Sequence, residues 1–253
     1  MVLISLNQAE VLQSVRLIAT DMDGTLTIAG QFTAELLQAL ERLRQANLEV
    51  LIVTGRSAGW VSAIANYFPI SGAIAENGGL FYTQESQKLL TSIADLKQHR
   101  QKLSEMFAQL QTQFPRIEES QDNAFRLTDW TFDIADLTVM ELTQMEVLCQ
   151  ANGWGFTYST IQCHIKPILQ SKAEGLLTVL RSYFPQYSQD QILTVGDSPN
   201  DETLFNSEFF PLSIGVANVL HYRDRLTHLP TYVTSAPEGI GFCELVASLT
   251  PNP

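Results

Sequence analysis

The chain has 253 residues, 45% of them hydrophobic, with 27 acidic against 15 basic side chains and a formal net charge of −12. An acidic surface of this strength repels nucleic acid and anionic lipid, and no run of eighteen apolar residues offers a membrane span, so neither nucleic acid nor a membrane is expected as a partner. Three scattered cysteines, Cys149, Cys163 and Cys243, and four histidines without metal-type spacing favour a reducing compartment with buried thiols over a disulfide framework or a zinc site.

The first residues lack a basic stretch followed by an apolar core, so no signal peptide is expected and the location expected is the cytoplasm. Leu17 to Thr20 is an apolar run that reads as a buried strand. It ends in two carboxylates, Asp21 and Asp23, followed by Gly24 and Thr25. Thr33 can cap a helix with Leu36, Leu37, Leu40 and Leu43 on one face. Leu48 to Val53 reads as a strand buried on both faces and ends at Thr54-Gly55-Arg56-Ser57. Ser57 can cap the next helix, with Trp60, Ile64 and Phe68 on one side. Gly72 to Ala75 is a third strand, ending at Glu76-Asn77-Gly78-Gly79. This βαβαβ rhythm predicts a parallel sheet.

The rhythm changes after residue 80. Ile93 to Phe114 reads as a helix, Phe125 to Ile134 as a half-exposed strand, and Leu137 to Asn152 as a second helix. Trp154 to Tyr158 and Gln162 to Ile165 read as a hairpin. After Pro167 the alternation returns, with a helix from about Lys172, a strand Ile192–Val195 ending at Gly196-Asp197-Ser198-Pro199-Asn200-Asp201, and short strands at Leu212–Val216 and Tyr232–Val233. The tail Thr250-Pro251-Asn252-Pro253 is expected to fray. The organisation predicted is α/β: a Rossmann-like parallel-sheet core, 1–80 and 166–253, interrupted by an α+β insert, 81–165.

Four sites at the ends of core elements carry the chemistry. Two acids at a strand end, as at Asp21 and Asp23, repel each other unless a cation or shared proton relieves them, which suggests Mg²⁺ and phosphate. Thr54, Gly55 and Arg56 offer a hydroxyl and the free N–H groups of a helix start, suited to a phosphate. Lys172 offers a point cation, and Asp197 and Asp201 are a second acidic pair. Taken singly, each also fits a capped turn or a solvated surface group. Their occurrence in this order, each near an end of a core element, favours one shared site.

These four segments, Asp21-Met22-Asp23-Gly24-Thr25, Thr54-Gly55-Arg56, Lys172 and Gly196-Asp197-Ser198-x-Asn200-Asp201, resemble the motifs of the haloacid dehalogenase-like phosphatases. The resemblance spans the chain, and the insert of about 80 residues resembles the large α+β cap of the Cof-like and sugar-phosphatase branch. One departure stands out: the branch often has Lys-Gly after the cap, and here the chain reads Lys172-Ala173-Glu174-Gly175.

The resemblance implies Mg²⁺-dependent hydrolysis of a small-molecule phosphate ester, with a sugar phosphate expected, by a monomer or dimer. It implies Asp21 as nucleophile and Asp23 as acid and base. Metal ligands would be Asp21, the Asp23 carbonyl, Asp197 and Asp201, the last as ligand or one shell removed. Thr54 and Lys172 would stabilise the phosphoryl group, and Gly55, Arg56 and Asn200 would bind substrate. In the cap, Arg126, His164 and Lys166 are candidates for substrate contact, with Trp130 and Trp154 as aromatic faces; each of these also fits a structural role. Two alternatives remain: a phosphomutase of the phosphomannomutase type, less well matched at Thr54-Gly55-Arg56, and a phospho-accepting regulatory module, disfavoured by the insert and by Asp23.

Overall fold

The computed structural model describes residues 4–5 and 12–250, so residues 251–253 of the tail lie outside the described part. Among the described residues, twelve strands form two sheets. The larger one contains β1 (Ile4–Ser5), β2 (Leu17–Thr20), β3 (Glu49–Val53), β4 (Gly72–Ala75), β5 (Leu80–Tyr82), β6 (Gln87–Leu89), β10 (Ile192–Gly196), β11 (Leu212–Gly215) and β12 (Tyr232–Val233). Its order is β1-β12-β11-β10-β2-β3-β4-β5-β6. All neighbours up to β4 pair in parallel, and β5 and β6 extend the edge as antiparallel strands. The expected boundary at residue 81 therefore falls inside this sheet.

β2, β3, β4 and β10 are buried at almost every position, as strands covered on both faces must be. One face is covered by α1 (Ala34–Gln45), α2 (Ala58–Tyr67) and α6 (Glu238–Leu249), the other by α5 (Lys172–Tyr183). Thr33 caps α1 by accepting from the Leu36 amide, and Arg42 and Arg44 close its last turn, where cations suit the helix dipole. The buried face of α1 is Leu36, Ala39, Leu40 and Leu43; Leu37 is exposed, because it stands one residue off that stripe. In α2 the buried positions are Ala58, Val61, Ile64 and Ala65. Trp60 lies outside the core, its ring beside Phe32 and under Arg56.

The second sheet is β7 (Trp130–Asp133), β9 (Gln162–Pro167) and β8 (Trp154–Tyr158), all antiparallel in the order β7-β9-β8. It packs against α3 (Leu96–Gln113) and α4 (Val139–Ala151) around a separate apolar cluster that includes Phe107, Phe132 and Met145. The expected strand from Phe125 is shorter at its start. Gln121–Phe125 is a 3₁₀ turn, because the Asn123 side chain bonds both the carbonyl and the amide of Thr131 and holds the chain folded back. The helix expected from Ile93 starts at Leu96, where Asp95 caps it by accepting from Gln98. Cys149 and Cys163 are buried free thiols of this unit. Among the described residues no helix is long and apolar enough to cross a membrane.

Candidate active site

The parallel register makes the central strands end together. Asp21 is the first residue after β2, Thr54 after β3, Glu76 after β4 and Asp197 after β10. The four groups therefore share the carboxyl edge of the sheet, beside the point where the chain leaves β2 in both directions, which is where open α/β sheets bind ligands.

Asp21, Asp197 and Asp201 are buried, and one carboxylate oxygen of each lies within 4.8 Å of the others. Asp197 accepts from the Thr25 hydroxyl at 3.0 Å and from Asn218 Nδ2 at 2.9 Å. Gly24, at φ +79°, passes so close that a Cβ there would come within 2.7 Å of an Asp197 oxygen, so both conformation and space require glycine. Asp201 uses one oxygen to accept from the amides of Asp197 and Ser198, and the other to accept from Lys172 Nζ at 2.6 Å. Lys172 also donates to Asp21 at 2.5 Å. Burial first, and then the Asp201 charge, push Asp21 up to about 7 against the pull of Lys172. Burial and Asp21 push Asp197 upward as well. Lys172 is raised by its two acids despite its burial and is a fixed cation. Asp21 and Asp197 offer hard oxygen donors with excess negative charge, beside Asp201, and fit Mg²⁺, which takes one or two carboxylates and completes its shell with water and substrate oxygens.

Lys172 reaches this cluster because α5 lies unusually close to the end of β4. Gly175 and Gly78 pack backbone to backbone: a Cβ on Gly175 would stand 2.6 Å from Gly78 Cα. The departure Lys172-Ala173-Glu174-Gly175 thus keeps a glycine on the helix face that needs it.

Beside the acids stands a polar cradle. Thr54 is buried, and its hydroxyl accepts from the Arg56 amide at 3.2 Å. Asn200 accepts from the Ser198 hydroxyl and donates to Asn77 Oδ1 at 3.1 Å. That bond leaves Asn77 Nδ2 buried without a partner and next to Gly55. An unpaired buried donor in this position suits an anion such as phosphate. Ser57 makes no capping bond. The buried Glu76 carboxylate takes that role by accepting from the Ala58 amide.

The cleft above the acids is lined from the core by Asp21, Asp23, Thr54 and Arg56, and from the second sheet by Gln162 and His164. Its free volume is only about 10 Å³. Arg56 grips both oxygens of Asp23, through Nε at 2.8 Å and Nη2 at 2.6 Å. His164 is held through Nδ1 by the buried Asp129 at 2.9 Å, and burial pushes it below its ordinary value, so the ring is neutral.

Arg126 sits beside the cleft. It donates to the Gly55 carbonyl, Asp129, Asp122 and Gln162, so its guanidinium ties the second sheet's unit to the Thr54–Gly55 turn. Lys166 lies outside the cleft too. It donates to the Gln170 carbonyl and lines a neighbouring chamber of about 280 Å³ that also touches Lys172 and Asn200; burial lowers it to about 8. Trp130 and Trp154 pack in the second unit, against Arg100 and His99 respectively.

Asn77, Asp129 and Asn218 take part in the site without having been singled out from the sequence. Asn218 stands three residues past β11, and its signal is that strand-end position alone.

A family model described as haloacid dehalogenase-like hydrolase matches residues 18–129. A phosphoglycolate phosphatase of Staphylothermus marinus is 26% identical over 94% of this chain and 99% of its own length. One from Methanothermobacter thermautotrophicus is 26% identical over 92% and 97%. Among solved structures, a Thermoplasma acidophilum protein shares the fold with TM-score 0.74 at 20% identity, over 93% of this chain and 98% of that one. A sucrose-phosphatase from Synechocystis, in complex with sucrose and phosphate, does so with TM-score 0.67 at 17% identity, over 94% and 98%.

Proposed function

We propose that the chain is a haloacid dehalogenase-like phosphoric monoester hydrolase and that it cleaves a short phosphorylated acid of the phosphoglycolate kind, with Mg²⁺ as cofactor. The observation that carries the substrate reading is the lining of the cleft, which sets the cation Arg56 and the polar His164 and Gln162 above the acids. A short leaving group with its own negative charge suits that lining. The names of the two relatives, matched over nearly their whole length, support the same choice. A sugar phosphate is the second reading, favoured by the 280 Å³ chamber that reaches Lys172 and Asn200 from the other side.

In this reading an Asp21 oxygen attacks phosphorus while the P–O ester bond breaks, and the leaving oxygen takes a proton from Asp23. Water then attacks the aspartyl-phosphate, its proton passes to Asp23, and the Asp21–phosphorus bond breaks to release inorganic phosphate. Lys172, Thr54, the Gly55 amide, Asn77 and Asn200 hold the phosphoryl oxygens and stabilise charge in the transition state. Asp21, the Asp23 carbonyl and Asp197 would hold the metal. Asp201, with both oxygens occupied by Lys172 and two amides, acts one shell out. Bound Mg²⁺ supplies charge neutralisation between the carboxylates and the phosphate dianion. The α3, α4 and β7–β9 unit serves as cap over the core, and its closure excludes water.

The test is phosphate release from phosphoglycolate, hexose phosphates and p-nitrophenyl phosphate, with Mg²⁺ and with EDTA. Release that requires metal and ranks phosphoglycolate first is expected. A hexose phosphate ranking first moves the substrate to the second reading. No release from any compound by folded protein overturns the reaction.

A further inference from the structure

We propose that Arg56 is a latch on the acid Asp23, and that a carboxylate or second phosphate on the leaving group is what opens it. The proposal rests on the reading of the site given above and adds to it a reason why the substrate must carry a second anionic group.

The observation is the pairing itself. Both Asp23 oxygens accept from the Arg56 fork. A carboxylate held in this bidentate way has the facing lone pair of each oxygen taken by an N–H donor, and it must give one of them up before it can carry a proton to a leaving oxygen from that side. The acid cannot serve the reaction until the guanidinium moves. The Arg56 backbone is pinned on both sides, its amide donating to the Thr54 hydroxyl and its carbonyl accepting from the Glu76 amide. Only the side chain is free to swing, and its guanidinium lies over the ring of Trp60, 5.5 Å from the centroid. The pair is within reach of an incoming group, with 27% of the Arg56 side chain and 15% of Asp23 exposed. Among the described residues that line the cleft, Arg56 is the one permanent cation. Asp122 and Arg126 are the next charges that act on it, one of each sign, so neither draws it away alone.

An anion on the leaving group offers Arg56 the same planar, bidentate match that Asp23 offers. Exchange of one for the other leaves the guanidinium paired and frees Asp23 to take up a proton from water and pass it to the leaving oxygen. A neutral leaving group has nothing to exchange and must break the pair uncompensated. Binding of the remote anion is thereby expressed in turnover as well as in affinity.

The test compares phosphoglycolate with 2-hydroxyethyl phosphate, which replaces the carboxylate by an alcohol at nearly equal size, in the Mg²⁺-loaded full-length protein. Ethane-1,2-diyl bisphosphate run in parallel separates a carboxylate from a second phosphate as the releasing anion. For the wild type, kcat is expected to be at least about tenfold higher for the anionic esters. In Arg56→Gln the kcat ratio should collapse to below about threefold, with kcat for the neutral ester rising. Arg56→Lys, which keeps charge but loses the fork, should fall between. The wild-type ratio alone tests the proposal if Arg56→Gln does not fold. Equal kcat for all esters, with differences in KM only, overturns the latch and leaves the phosphatase reading standing. So does a fall of both kcat values by one common factor in Arg56→Gln. No turnover of any of the three beside turnover of a hexose phosphate overturns the substrate reading and the latch together.

Discussion

Asn77 Nδ2 is a buried donor without a partner in an interior where nearly all such groups are paired, and leaving one unpaired costs about 1–3 kcal/mol. The orientation of its amide follows from its neighbours. Ser198 donates to Asn200, Asn200 donates to Asn77 Oδ1, and the second Asn77 atom is left facing the Gly55 turn. Asn77→Asp is a sharp probe, because it preserves the acceptor that Asn200 uses and tolerates φ +52°, yet places a negative oxygen where the phosphoryl group would sit. We expect kcat/KM to fall by about 10²–10³, with inhibition by orthovanadate weakened in proportion and the thermal melt lowered, because the new carboxylate oxygen is buried without a donor. Activity within threefold of wild type would remove Asn77 from the cradle. This residue was visible in the sequence only as part of a turn. Asp21, Thr54 and Asp197 were legible because each directly follows an apolar run that could only be a buried strand. Asn77, Asn218 and Asp129 act through bonds to residues between 21 and 194 positions away, and no local pattern encodes such a pairing.

At the scale of elements, a buried carboxylate joins Arg126 in holding the two sheets together. Glu76, the first residue after β4, accepts from the amides of Ala58, Leu127 and Thr128 and from the Thr128 hydroxyl. It therefore closes the amino end of α2 and pins the segment leading into β7 at once. Burial raises it, while Arg126 and these donors lower it. Glu76→Ala leaves three amides without their acceptor and is expected to cost at least about 3 kcal/mol, read as a lower urea midpoint. Glu76→Gln keeps one oxygen and the volume and should cost less than half as much. Equal stability of all three proteins would show that water replaces the carboxylate freely. Ser57, of the usual residue type at that position, is the cap that the sequence offers for α2. Tertiary structure brought a stronger acceptor from 18 residues downstream, and Ser57 was left without a bond. Trp60 follows the same logic. Helical spacing placed it with Ile64, but the rim beside Arg56 competes with the core for large aromatics, and small Ala58 and Ala65 fill the packed face.

At the scale of the whole molecule, the buried acidic cluster couples folding to pH. In the metal-free protein Asp21 is raised from an ordinary 3.8 to about 7, and Asp197 is raised with it. Between those values the native chain holds protons that the unfolded chain has lost. Stability contributed by these groups therefore falls as pH rises through that window. A bound divalent ion reverses their preference by stabilising the ionised form, so binding releases those protons and strengthens with pH up to about 7. His164 and His99, lowered by burial, change stability in the opposite sense, but they do so with or without metal and cancel in the difference. The Mg²⁺-induced shift of the melting temperature is thus expected to be small at pH 5, to grow steadily to pH 7.5 and to level off above. At a hundred times Kd the full effect is about 2.7 kcal/mol, or roughly 5–10 °C for a chain of this size. Calorimetric melts with 10 mM Mg²⁺ and with EDTA across pH 5–8.5 check it, and a shift independent of pH would mean that the acids are already ionised in the metal-free fold. The Lys172→Met variant supplies the complementary arm. Without the cation that bridges Asp21 and Asp201, the metal-free protein should lose stability more steeply as pH rises, and Mg²⁺ should restore a larger share of it.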